Sequence, residues 1–173
     1  MKRTIDPLAH ASEIMKAVEN GVLITAKKDS RVNPMTVSWG GLAIEWGKPL
    51  FIAFVRKTRY TKEFLDATGE FTVNLPQGAF DKKITALCGS KSGRDIDKVK
   101  AAGLTLEEPL EINAPGIREL PLTLECRILH ACEQDIDTID GPSAERWYPS
   151  DETGERNPHT AYYAEIVAAY VIE

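Results

Sequence analysis

The residues with the most chemical potential in this chain are cations and hydroxyls rather than nucleophiles. Arg56-Lys57-Thr58-Arg59-Tyr60-Thr61-Lys62 follows the apolar run Leu50 to Val55, which reads as a buried strand, and runs into Thr61 to Thr68, which reads as a short helix beginning around Thr58 to Thr61 and stopped by Gly69. A strand-to-helix junction of this kind presents unpaired amides and the positive end of a helix dipole. With arginine, lysine and threonine side chains around it, it suits an anion such as phosphate. The same residues also fit an ordinary threonine N-cap ringed by solubilising charge.

A second polar segment, Cys88-Gly89-Ser90-Lys91-Ser92-Gly93-Arg94, has the glycines and lysine of a phosphate loop but not its pattern, because Lys91 follows a serine and the segment follows a predicted helix, not a strand. It can wrap a ligand through its glycines, with Lys91, Arg94 and Lys98 supplying charge, or serve as a connector. No G-x-G-x-x-G follows a strand, which argues against a nucleotide site of the Rossmann type. Cys126, His130 and Cys132 share parity on one strand, but their spacing matches no standard zinc pattern, and a buried apolar face is the simpler reading. Without G-x-S-x-G, the three histidines suggest no hydrolytic triad.

The elements that must position these groups are mostly strands. Pro7 to Val18 predicts a helix with Asp6 as N-cap, and Gly21 to Ala26 predicts a strand turning at Lys27 to Ser30. Val32 to Trp39 predicts a strand with Met35, Val37 and Trp39 on one face and the Thr36 and Ser38 hydroxyls about 7 Å apart on the other. Glu70 to Leu75 predicts a further strand. Phe80 to Leu87 and Asp95 to Ala102 predict helices. Leu122 to Ile128 predicts a half-exposed strand with Thr123, Glu125 and Arg127 outward, and Thr160 to Ile172 a long strand. Residues 135–158 are acidic and poor in apolar side chains, a long surface excursion of the kind that often carries function. Strands with few crossover helices predict a mainly β fold, an antiparallel barrel or sheet with short peripheral helices.

The 173 residues, 43% hydrophobic and 27% charged, predict a single domain over 1–173 that needs neither disulfides nor a structural metal. The odd cysteine count and the lack of an apolar run after Met1-Lys2-Arg3 predict a reducing cytoplasm. Net charge is −5, but residues 1–103 carry 17 Lys+Arg against 11 Asp+Glu, and residues 104–173 carry 4 against 15. That balance disfavours nucleic acid as a partner while leaving room for a small anion in the first part. No apolar run reaches membrane-spanning length.

Taken in order, Asn33-Pro34-Met35-Thr36-Val37-Ser38-Trp39-Gly40, Lys48-Pro49, Arg56-x-x-Arg59-Tyr60-Thr61-x-Glu63, Phe71-Thr72-Val73-Asn74, Cys88-Gly89-x-x-Ser92-Gly93-Arg94-Asp95-x-Asp97-Lys98 and Pro158-His159-Thr160 resemble the flavin reductase-like family, its flavoredoxin branch most of all. The resemblance implies an FMN-binding split β-barrel, usually a homodimer with the flavin near the subunit interface. Thr36, Val37, Ser38 and Trp39 would line the isoalloxazine, and Arg56, Lys57, Tyr60 and Thr61 would hold the phosphate. Cys88, Gly89, Ser90 and Ser92 would approach the flavin or its tail, with Lys98 adding charge and His159 near the ring. Electrons would pass from NAD(P)H or a redox protein through FMN to an acceptor. The alternative is a flavin-binding or electron-carrier module without nicotinamide turnover.

Overall fold

A computed structural model describes all 173 residues. In chain order the elements are β1 (Lys2–Thr4), α1 (Ala11–Asn20), β2 (Val22–Lys28), β3 (Arg31–Val37), β4 (Gly40–Glu45), β5 (Lys48–Arg56), α2 (Tyr60–Thr68), β6 (Glu70–Leu75), α3 (Lys83–Ser90), α4 (Lys98–Ala101), β7 (Leu106–Glu107), β8 (Gly116–Ile117), β9 (Leu122–Glu133), α5 (Gly141–Trp147) and β10 (His159–Ile172). One antiparallel sheet runs in the order β3-β2-β6-β9-β10-β5-β4, with β1 beside β10. Its end strands β3 and β4 are consecutive in the chain yet unpaired with each other. A single apolar cluster is fed by Ile24, Met35, Phe51, Phe71, Leu124 and Tyr162 from six strands, so the sheet curls around one core and stays split along that seam.

The tight connections follow from residue type and conformation. β4 and β5 join through Trp46-Gly47, both at positive φ, matching the twist of a two-residue hairpin. Gly69 takes the left-handed conformation that ends α2 and returns its amide to the Leu65 carbonyl.

Several expectations are corrected. Asp6 does not cap α1: its carboxylate accepts the Leu8 amide in a separate turn, and the helix begins after His10. β3 stops at Val37, and Ser38 and Trp39 turn the chain towards β4. The helix predicted from Phe80 runs instead through Cys88-Gly89-Ser90, whereas the one predicted from Asp95 shortens to α4, capped by Asp97. Thr123 and Glu125 are fully buried, not outward. The segment before β9 folds back over this face, and the Leu110 and Glu111 amides each donate to a Glu125 carboxylate oxygen at 2.7 Å, so the buried carboxylate is satisfied by backbone donors. A bulge at Leu129 separates the pairs Ile128↔Ala164 and His130↔Tyr163, which breaks the parity expected of Cys126, His130 and Cys132. Cys126 is buried, whereas His130 and Cys132 are exposed. The excursion 135–158 contains one 3-10 turn and α5, whose Asp140 cap and Pro142 make a regular helix start.

Candidate functional site

Two adjoining cavities open where the ends of β3 and β5 meet α2 and the segment after α3. One, of about 370 Å³, is lined by Met35, Thr36, Val37, Ser38, Trp39, Phe54, Arg56, Arg59, Trp147 and His159. Half of these residues are hydrophobic and half are polar or charged. Trp39 meets Trp147 edge to face at 4.9 Å and lies 5.0 Å from the His159 ring. The other, of about 330 Å³, is polar, and Met35, Arg56 and Arg59 line both.

The polar cavity gathers Arg56, Arg59, Lys91, Arg94 and Lys98 with Thr58, Tyr60, Thr61, Ser90 and Ser92, and no carboxylate lines either cavity. The two cationic segments noted in the sequence therefore meet in space. The N-cap of α2 is Arg59, which supplies no side-chain acceptor. The first amides of the helix are thus left uncapped by any side chain beside this cavity. Thr58 serves another partner, since its hydroxyl accepts from Asn157 Nδ2 at 2.9 Å.

Lys98 is the most telling member. It is only 4% exposed, and its Nζ donates to the carbonyls of Pro34 and Cys88 at 3.1 and 2.9 Å. Burial and the Arg59 guanidinium push its pKa below the ordinary lysine value, the first outweighing the second. An ammonium has three donors, and the carbonyls take two. A buried cation beside a second cation, with only neutral acceptors in the chain, fits an anionic ligand that supplies the missing charge.

The other expected residues fall into place unevenly. Thr36 lines the aromatic cavity, but its hydroxyl donates to the Thr85 carbonyl at 2.6 Å, tying β3 to α3. Gly89 lets that helix approach, because an added Cβ would lie 3.3 Å from Thr36 Cβ. Cys88 does not reach either cavity. It is buried with Leu23, Ile84, Leu104, Ile117 and Leu120, and desolvation pushes its thiol up to about 11. Only its carbonyl contributes, through Lys98. Lys57 also falls outside, since consecutive residues leaving β5 point in different directions, and it lines a separate surface cleft with Glu133, Asp135 and Asp137. Lys62 turns inward to Asp66 and Tyr162.

Arg56 does more than the sequence suggested. Its Nη1 donates to the Asn157 carbonyl and its Nη2 to the Trp147 carbonyl, each at 2.9 Å, so it fastens the end of α5 and the segment just before β10 to the barrel. Trp147, Tyr148 and Asn157 were missed because the acidic composition of 135–158 marks it as solvated surface. The usable signal was the pair Trp147-Tyr148 at the end of a capped helix in an otherwise aromatic-poor stretch.

Residues 15–173 match the family model described as flavin reductase like domain. The chain belongs to the flavin reductase-like family. It is 31% identical to the Escherichia coli K12 protein YddH over 139 residues, 78% of this chain and 72% of that one. Among solved structures, the flavoredoxins of Desulfovibrio vulgaris and Methanosarcina acetivorans superimpose with TM-scores of 0.68 and 0.66 at 25% and 27% identity. Each covers 88% of this chain, and 69% and 68% of the flavoredoxins respectively. An FMN-binding domain from Shewanella baltica, at 19% identity and TM-score 0.67 over 99% of this chain and 77% of that one, shares the fold. The expected mainly β architecture with short helices is thus the family's own. No helix of this flavin reductase-like chain is long and apolar enough to cross a membrane.

Proposed function

We propose that this protein is an FMN-binding oxidoreductase of the flavin reductase or flavoredoxin type, taking electrons from NAD(P)H or a redox protein and passing them to an acceptor. The observation that carries the reading is the junction of the two cavities: an aromatic slot for a planar ring opens directly onto a carboxylate-free cluster of cations around buried Lys98. Of these cations only Arg94 is paired with a carboxylate, that of Glu63, and a flavin phosphate placed there offsets the charge of the others. The redox chemistry would be the flavin's own.

The residues of the chain bind, orient and shield. Lys98, Arg59 and the first turn of α2 attract the phosphate, with Ser92, Thr61 and Tyr60 around it. Met35 to Trp39 and Phe54 line the ring slot, and Trp147 closes one side of it against bulk water. No side-chain nucleophile is required. The proposal includes a homodimer, which light scattering tests.

The deciding experiment is the visible spectrum of the purified protein with FMN, followed by anaerobic addition of NADH or NADPH. Yellow protein bleached rapidly by a nicotinamide supports the reductase. Flavin bleached only by a low-potential redox protein leaves the flavoredoxin-like carrier. Failure to bind FMN, read as unquenched FMN fluorescence, refutes the proposal.

A further inference from the structure

The ring cavity holds a histidine whose surroundings come from the acidic excursion. His159 begins β10, pairs with Arg56 of β5, and is 6% exposed. Its Nδ1 lies 2.8 Å from the Tyr148 hydroxyl, and that hydroxyl lies 2.8 Å from Gln134 Oε1. The Tyr148 ring stands nearly perpendicular to the imidazole at 5.5 Å, and the Arg56 guanidinium sits over the Tyr148 ring at 5.3 Å. Arg56 also holds the carbonyl of Trp147, the residue before Tyr148, so Gln134, His159 and Arg56 together hold the tyrosine in place.

A tyrosine hydroxyl has one hydrogen to give. With that hydrogen directed to Gln134 Oε1, the oxygen can only accept from the imidazole, which places the ring hydrogen on Nδ1. Burial and the nearby Arg56 and Arg59 charges hold His159 neutral, with its pKa lowered to about 4, so one ring nitrogen carries no hydrogen at neutral pH.

We infer that Tyr148, set by Gln134, is a positioning residue that fixes His159 in the Nδ1–H tautomer and keeps Nε2 as a hydrogen-bond acceptor at the ring cavity. The cavity's occupant would then present an N–H or O–H there. That last step rests on the proposed flavin site; the tautomer does not. The excursion 135–158 thereby gains a role: it delivers Tyr148 to the histidine as well as Trp147 to the cavity wall.

The test is the ring-nitrogen NMR signature of His159 in full-length protein labelled with 15N-histidine, without added flavin, assigned by its loss in His159→Gln. The expected result at pH 7 is a protonated Nδ1 and a bare Nε2. Tyr148→Phe is expected to release the ring to a mixture of tautomers. Gln134→Leu frees the hydroxyl hydrogen to turn to Nδ1 and so moves the ring hydrogen to Nε2. Amide spectra matching wild type show that the variants are folded. An Nε2–H tautomer in the wild-type protein overturns the inference, as does an unchanged tautomer in folded Tyr148→Phe. Because flavin is absent, FMN titration of the same wild-type sample reports separately on the proposed function.

Discussion

Replacing Lys98 with methionine removes one charge from the polar cavity while keeping most of the side-chain volume. The ammonium it removes is 4% exposed, so water screens it little, and it faces a cavity with no carboxylate to share its field. A charge-assisted hydrogen bond at such a site is worth about 1.5–3 kcal/mol. At about 1.4 kcal/mol per decade, that is roughly 10- to 150-fold in affinity for a phosphorylated ligand. FMN and riboflavin differ by the phosphate alone, so their dissociation constants, read by fluorescence quenching, separate the charge from everything else the substitution disturbs. The expected result is the full loss for FMN and a change of less than about threefold for riboflavin, well under one decade of free energy. The Pro34 and Cys88 carbonyls lose a donor in the variant, and any loosening of the cavity falls on both ligands alike. Equal weakening of FMN and riboflavin would refute the assignment of Lys98 to the phosphate.

Arg56→Ala should behave differently. Its guanidinium fastens the Trp147 and Asn157 carbonyls, so the variant is expected to weaken FMN and riboflavin together and to speed proteolytic cleavage within 135–158; a loss confined to FMN would show that Arg56 acts mainly on phosphate. His159 contributes a pH dependence. Its pKa falls from 6.5 to about 4 on folding, so between those values the unfolded chain binds a proton that the folded one refuses, and stability drops as pH falls through that window, by roughly 3 kcal/mol in all. Urea unfolding of wild type and His159→Gln between pH 7 and 4 should show the slope diminished in the variant. Gly93→Ala puts a Cβ 1.9 Å from Asn33 Oδ1, whose side chain is buried and donates to Thr61 at 2.7 Å; a destabilisation of about 1–3 kcal/mol in urea unfolding is expected. Of the cysteines, only Cys132 is exposed, and a thiol reagent should label one site per native chain and three after unfolding.

Much of this architecture is legible in the sequence because its signals are local. The β-branched run Val22 to Ala26, the apolar Leu50 to Val55 and the glycine after Thr68 each act within a few residues, and the cationic junction at Arg56 to Lys62 carries its own chemistry. What escaped depends on what covers a face. Glu125 reads as an outward strand residue until the segment 106–117 folds over it. Cys88 reads as part of a ligand loop until α3 extends through it and turns its side chain into an apolar cluster. Lys57 and Arg56 are adjacent and equally basic, yet direction at a strand end sends one to the cavity and the other to the opposite cleft. Tyr148 is the hardest case, because its meaning comes from Gln134 and His159, each more than ten residues away in the chain.

The placement of β10 also sets an order of events during folding. This strand lies between β9 and β5 and takes β1 along its farther stretch, so it joins portions of the chain more than one hundred residues apart. Those pairings close very long loops, whose entropy must be lost before their contacts form. Until residues 159–172 are available, β5 and β4 form a hairpin with no sheet to join, and the ring cavity lacks its His159 wall. During synthesis, the ring cavity is therefore among the last parts of the domain to exist, and a chain halted before His159 exposes the open edges of β5 and β9 together.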